Sequence, residues 1–407
     1  MAPFSRRQFL TTALAAGGSN VLLAGNMLPP DAVNDFLIRP DITYLNNAST
    51  HPMPKVSVEA MQEFIRRKAS GETTVGELFA TMKQPRILFS QLINADLGEI
   101  ALVNSTMAGE NAVVAGLGLH RAKGNIVTDA LHWEGSMYMY KALESKDLAL
   151  RIARTRDYGI DLNELDKLID GDTRLVAVSL VASRNGFRHD LAAVCRLAHA
   201  KGALVYADII QAVGAFPVDV KATGVDFCAC GSYKWMMGDC GTGFVYVRKD
   251  LLGNVFKKEQ WGYLQCEDLT IDEFQQSVSK PIVQFTERKD ARGYIETATP
   301  SFCGLVGAAK SLELVLKLGP GKIGAHIKPL IDHLKEELPK RGYPLMTPRG
   351  NQSPTALFSV SDGKALAKRL EERKIRTTIH DTSMRVSPGI FSTPQDIDKL
   401  MEALPRL

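Results

Sequence analysis

The chain has 407 residues, enough for one large core and a second unit, and at 45% hydrophobic and 23% charged it is not a disordered polymer. Its formal net charge is only +4, and its basic clusters, such as Arg66-Arg67-Lys68 and Lys257-Lys258, are short and dispersed. They read as solvated faces, which excludes nucleic acid as a partner class.

In chain order, Ser5-Arg6-Arg7-Gln8-Phe9-Leu10 and the uncharged, small-residue-rich segment after it read as a twin-arginine (Tat) export signal spanning residues 1–26. The Tat translocase is then a partner during export, and the periplasm is the destination. The alternative is a frayed start with a chance arginine pair. Gly17-Gly18-Ser19-Asn20 breaks the segment, so it does not read as a membrane-spanning helix; cleavage near residue 25 and retention as an anchor both stay open.

Residues 56–95 read as helical, with Met61, Phe64 and Ile65 spaced for one face. A strand-like Ile100–Val103 runs into Asn104–Asn111, whose small residues open a helix, and the amide end of such a helix can cradle a phosphate. Asn125–Asp129 is a further strand end, and Leu175–Val181 is a buried strand of the parallel type.

The apolar run Ala203–Ala207 ends at Asp208, and Asp226–Cys230 leads into Gly231-Ser232-Tyr233-Lys234-Trp235. Ligands of open α/β sheets bind beyond the carboxyl ends of the strands, so Asp208 and Lys234 are expected to face one crevice. A lysine that forms a Schiff base and a carboxylate that keeps a pyridine nitrogen protonated are what pyridoxal 5'-phosphate (PLP) chemistry requires. Taken singly, a capping aspartate and a surface lysine are the blander readings.

The glycines of Gly238–Arg248 lack the strand, G-x-G-x-x-G, helix order, so a dinucleotide site is rejected. Residues 253–292 read as an irregular polar loop over the site, and from 301 a long helix leads to a smaller α/β unit. The six cysteines lack the spacing of a small disulfide scaffold, and no second ligand pair accompanies Cys228 and Cys230, so no metal is expected.

D-x-x-Q at 208–211, G-S-Y-K-W at 231–235, Y-L-N-N-A at 44–48, E-T-A-T-P at 296–300 and R-V-S-P at 385–388 come in matching order over roughly residues 44–405. In this the chain resembles the class V (fold-type I) PLP-dependent aminotransferase family, which includes cysteine desulfurases, isopenicillin N epimerase-like proteins and kynureninase. The resemblance implies an α/β fold with a mainly parallel, seven-stranded sheet. It also implies an N-terminal segment (27–60), a large PLP-binding domain (61–305), a small C-terminal domain (306–407), and a homodimer acting on a small amino-acid-type substrate.

The resemblance also implies roles. Lys234 carries the Schiff base, Asp208 contacts the ring nitrogen, Gln211 the ring hydroxyl, and Ser232 beside Tyr233 the phosphate. Ala108 and Gly109 grip the phosphate, with Thr106 supplying a hydroxyl because Gly109 stands where the family often has threonine. His132 stacks on the ring and serves as acid or base, Trp133 being the alternative ring. Ser183 falls where the family often has an asparagine on the ring oxygen, and Thr299 reaches the phosphate of the neighbouring subunit. Asn47, His51 and Arg385 face the substrate, with Arg385 gripping its carboxylate and Arg184 and Asn185 nearby.

The expected activity is chemistry at the Cα of an amino acid or amino-acid-like group: transamination, epimerisation, decarboxylation or lyase chemistry. Periplasmic modification of a siderophore glutamate group is one instance. The alternatives are a C–S lyase or cysteine desulfurase and a catalytically idle PLP-fold binding protein. No cysteine lies between Cys303 and Arg385 or beyond, which argues against a persulfide-forming desulfurase.

Overall fold

The structure is a computed structural model that describes Leu28, residues 34–274, residue 279 and residues 281–405. The expected export signal at Arg6-Arg7 lies outside the described residues. The expected helix over 56–95 is three helices, α1 (Lys55–Ala69), α2 (Val75–Ala80) and α3 (Lys83–Leu92). Two local signals break it. Gly71 takes φ +79 after α1, and Thr74 opens α2 with a capping box to Glu77.

The centre is a seven-stranded sheet of β1 (Ile100–Val103), β2 (Gly124–Asp129), β3 (Leu148–Ala153), β4 (Thr173–Ser179), β5 (Leu204–Asp208), β6 (Phe227–Gly231) and β7 (Gly243–Val247). The strand order is β1-β7-β6-β5-β4-β2-β3, and β7 alone runs against the others. Each central strand is apolar on both faces. Val176, Val178, Val205, Ala207, Cys228 and Cys230 pack into one core layer, and Leu175, Ala177, Tyr206, Phe227 and Ala229 into the other. Polar residues appear only where these strands end, so Asp129, Ser179 and Asp208 gather along one edge.

Helix α4 (Thr106–Gly116) follows β1, α5 (Glu134–Leu143) follows β2, and the long α6 (Phe302–Leu318) packs on α1 and α3. A three-stranded antiparallel sheet completes the C-terminal part: β8 (Ala356–Ser359), β9 (Thr378–His380) and β10 (Ser383–Val386), in the order β8-β10-β9. The short strand Thr43–Tyr44 pairs in parallel with Ile375–Arg376, and Ser387 N–H donates to Leu45 O at 2.8 Å. The N-terminal segment is thereby fastened to the C-terminal unit before it crosses to the large sheet.

Residues 253–292 differ from the expected loop. They contain an antiparallel hairpin, Cys266–Ile271 with Val283–Glu287. Its strands alternate, with Leu269 and Ile271 opposite Phe285 and Val283, but each alternation spans only three residues, too short a run for the period to stand out in the sequence.

Candidate active site

Asp208 closes β5 beside Ser179, its register partner at the end of β4. Its Oδ1 accepts the Ile210 N–H at 2.9 Å. Burial pushes its carboxyl up to about 6, against the opposing pull of the Ile210 N–H, Lys234 and His132. Lys234 is 7% exposed and stands in the turn after β6, which the Met237 N–H closes on the Lys234 carbonyl at 2.8 Å. Met237 takes φ +61 there, an outlier for a long side chain and the kind of local strain that collects at functional turns. Burial lowers the Lys234 amine to about 8; Asp208 opposes the shift and Arg385 adds to it. A useful fraction of the lysine is therefore the neutral, nucleophilic amine near neutral pH.

His132 is not where the resemblance placed it. Its side chain has no exposure; Nε2 meets Glu110 Oε1 at 3.0 Å and Nδ1 meets Ser179 Oγ at 2.9 Å. Tyr140 covers one face of the ring at a centroid distance of 6.1 Å, and Tyr206 approaches edge-on. A ring enclosed in this way cannot stack on a ligand. The adjacent Trp133 is half-buried, with Lys234 Nζ 5.9 Å from its centroid, so it is the aromatic face that borders the lysine.

The phosphate side also needs correction. Ser105 caps α4 by accepting the Ala108 N–H on Oγ at 3.1 Å, and Gly109 N–H donates to the Ser105 carbonyl at 3.2 Å. The helix itself therefore uses both amides assigned to phosphate, leaving the earlier first-turn amides of Thr106 and Met107 as its outward donors. Gly109 is explained by packing, since a Cβ there would lie 2.6 Å from Ala229 Cβ. Thr106 Oγ1 accepts the Gly231 N–H at 2.9 Å, which ties the helix start to the turn bearing Lys234. The Ser232 hydroxyl donates to Asp239 O at 2.7 Å, so its proton is committed. Half-buried Tyr233 lies against Lys234, whose Nζ is 5.7 Å from its ring centroid, and its carbonyl accepts the His51 N–H at 2.9 Å.

Gln211 is a structural splice: its Nε2 donates to Ala48 O at 2.8 Å and its Oε1 accepts the Trp235 indole N–H at 2.9 Å. Both ends of the amide are engaged, leaving it poorly placed for a ring hydroxyl. Asn47 donates to Ser387 O at 2.8 Å, while its buried Oδ1 has no partner among the described residues. His51 packs among Phe36, Trp235 and Phe391, with Nδ1 2.8 Å from Pro52 O and Nε2 unpartnered among the described residues. Burial lowers its pKa to about 4.

Arg385 rises from β10 and is 9% exposed. Its guanidinium donates to Ser183 O, to Ser49 Oγ at 2.6 Å and to Thr378 Oγ1 at 3.1 Å, and its buried Nε has no partner among the described residues. No carboxylate among the described residues pairs with it. Burial brings it down to about 10, and nearby Arg184 adds to the shift. A buried guanidinium held only by neutral acceptors carries a charge that no carboxylate of the described residues balances. Ser183 contributes its carbonyl here. Asn185 is spent elsewhere, donating to Tyr158 O at 2.7 Å and accepting the Phe187 N–H at 3.0 Å, so it does not join Arg184 toward a substrate. Thr299 is exposed, and its hydroxyl pairs with Tyr263 OH at 2.6 Å.

Sequence reasoning missed Glu110, which holds His132, and Ser49 and Thr378, which hold Arg385. Ser49 had one usable signal, since it lies two residues after Asn47 in a segment already assigned to the substrate side. The assembled groups fit PLP: a buried lysine, a carboxylate beside it, an indole face, two outward helix amides and a buried guanidinium without a carboxylate partner.

The comparisons agree. A sequence model described as aminotransferase class-V matches residues 43–400. The chain is 29% identical over 330 residues to a probable cysteine desulfurase of Pyrococcus abyssi, covering 79% of each chain. It is 25% identical over 398 residues to isopenicillin N epimerase of Streptomyces clavuligerus, covering 93% of this chain and 98% of that one. The apo structure of a cysteine desulfurase from Thermococcus onnurineus NA1 superposes with a TM-score of 0.79 at 23% identity, covering 92% of this chain and 96% of that one. The chain belongs to the class V aminotransferase family of fold-type I, PLP-dependent enzymes.

Proposed function

We propose that this enzyme acts at the Cα of an amino acid or amino-acid-containing substrate whose free carboxylate is received by Arg385, in a homodimer that the Tat route carries to the periplasm. The observation that carries the reading is Arg385, buried, with an unpartnered Nε and neutral acceptors only. When bound, PLP supplies an aldehyde and a ring that stabilises negative charge at the substrate Cα. Asp208 holds a proton on the ring nitrogen, and the indole of Trp133 excludes water from one face. Lys234, at about 8, accepts or returns the proton at Cα. Arg385 would hold the carboxylate and so fix the orientation of the substrate's Cα beside Lys234. Thr299, exposed on the single chain, is assigned to the partner subunit's phosphate.

The test is mass spectrometry of candidate amino acids, including a siderophore peptide with a free glutamate group, before and after incubation with the holoenzyme. A product differing at Cα supports the reading, and no change with any carboxylate-bearing amine overturns it. Release of alanine from cysteine with a stoichiometric persulfide on any of the six cysteines, lost together with activity when that residue is changed to alanine, would instead favour a desulfurase. Modification of a siderophore glutamate group remains one instance of the proposed reaction class.

A further inference from the structure

Glu110 has no exposure, yet its carboxylate lies inside the sheet–helix interface, four residues after the start of the α4 helix. Three groups serve it. Tyr140 OH donates to Oε1 at 2.7 Å, Ser136 Oγ donates to Oε2 at 2.5 Å, and His132 Nε2 meets Oε1 at 3.0 Å. Three donors converge on this one buried carboxylate, and one of them is an imidazole, so Glu110 and His132 are placed as an ion pair in a dry interior. His132 is the cation in reach. Its other nitrogen faces Ser179 Oγ, and Ser179 is the register neighbour of Asp208.

We propose that Glu110 is a positioning residue: through an imidazolium at His132 it keeps Asp208 in the carboxylate form, the form that holds a protonated pyridine nitrogen. The proposal rests on the PLP reading of the site and adds an electrostatic device beneath it. Burial alone opposes a charged Asp208, and Lys234 is the other cation that counters it. Lys234, however, is committed to the cofactor when the enzyme is loaded, so the cation at His132 is the one that persists. The groups facing His132 from each packed element are Glu110 and Tyr140 from the helices, Asp129 from β2, itself paired with His189 at 3.1 Å, and Tyr206 and Asp208 from β5. The acidic groups among them favour the imidazolium, and its net shift is upward despite burial.

The experiment uses holoenzyme with nitrogen-15-labelled histidine and the variants Glu110→Gln, His132→Gln and Tyr140→Phe. The His132 signals, identified by their loss in His132→Gln, are expected to show both ring nitrogens protonated at neutral pH in the wild type and one in Glu110→Gln. In parallel, the cofactor's visible band is followed as pH falls. Loss of cofactor should begin about one pH unit higher in Glu110→Gln and His132→Gln, and near the wild-type pH in Tyr140→Phe, which removes a hydrogen bond and no charge. A neutral His132 in the wild type, an unmoved acid limb in both charge variants, or an equal shift in Tyr140→Phe overturns the proposal. The nitrogen signals do not depend on bound cofactor, so failure of the PLP reading would show separately, as a wild type without the visible band.

Discussion

Arg385 Nη2 donates to Ser49 Oγ at 2.6 Å, so the guanidinium of the C-terminal sheet is aimed by a serine of the N-terminal segment. Thr378 Oγ1, at 3.1 Å from the same nitrogen, is in turn 2.6 Å from Asn46 Oδ1. The guanidinium is therefore fixed from two sides before any substrate arrives, which lowers the entropic cost of binding a carboxylate.

Arg385→Lys removes the planar fork and keeps the charge. The expected outcome is a rise in KM of on the order of 30-fold, about 2 kcal/mol, for the amino acid that gives turnover, with the visible spectrum of the enzyme unchanged. Ser49→Ala should move KM in the same direction by a smaller factor. Steady-state kinetics on the two variants checks both.

Lys234→Ala should abolish the borohydride-sensitive visible band in protein supplied with PLP, while the folded state, read by circular dichroism, survives. The lysine is buried without a hydrogen bond of its own among the described residues, so its removal leaves few unsatisfied partners. A borohydride-sensitive band that persists in the variant would place the linkage on another lysine.

Stability should fall as pH drops from about 6.5 toward about 4, through His51. The pKa of this histidine is depressed in the folded protein, so its contribution is present above the unfolded value and is lost as protons bind on the way down. The span corresponds to about 3 kcal/mol as an order of magnitude. Urea midpoints measured across that range should decline less steeply in His51→Gln than in the wild type, whatever the variant's stability at neutral pH.

Export should depend on the arginine pair. Fractionation of cells producing Arg6→Lys/Arg7→Lys is expected to find the protein retained in the cytoplasm, where the wild type reaches the periplasm. An unchanged distribution would remove the Tat reading.

Asp208 and Lys234 were legible because each depends on local order: an apolar run of strand length, a polar residue at its end, a short motif behind it; the seven-stranded sheet and Arg385 came only with the family resemblance, since by its letters alone Arg385 is an ordinary surface arginine. What was not legible depends on distance or on direction. Adjacent residues His132 and Trp133 lie just ahead of helix α5, and no pattern of letters says which ring turns toward the lysine; the decision is made by Glu110 of α4, which meets His132 and is itself held by Ser136 and Tyr140 of α5. Gly109 was assigned to phosphate because small residues at a strand-to-helix turn serve that purpose, whereas here the missing side chain makes room for Ala229. Gln211 and Asn185 are polar residues in motifs, yet their amides are consumed by backbone groups far along the chain. The exposed hairpin escaped notice because its apolar alternation is only three residues long on each strand and the strands are exposed.

The fastening of the N-terminal segment to the C-terminal sheet also sets the order of assembly. Asn47 and Ser387 are 340 positions apart, and Leu45 and Ser387 exchange backbone contacts across a similar interval. Closing so long a loop is slow, and on a growing chain it waits until the last strand has emerged. The crevice beside Lys234 is therefore the last part of the fold to be completed, because Arg385 and the segment that aims it come together only after the large sheet has been synthesised.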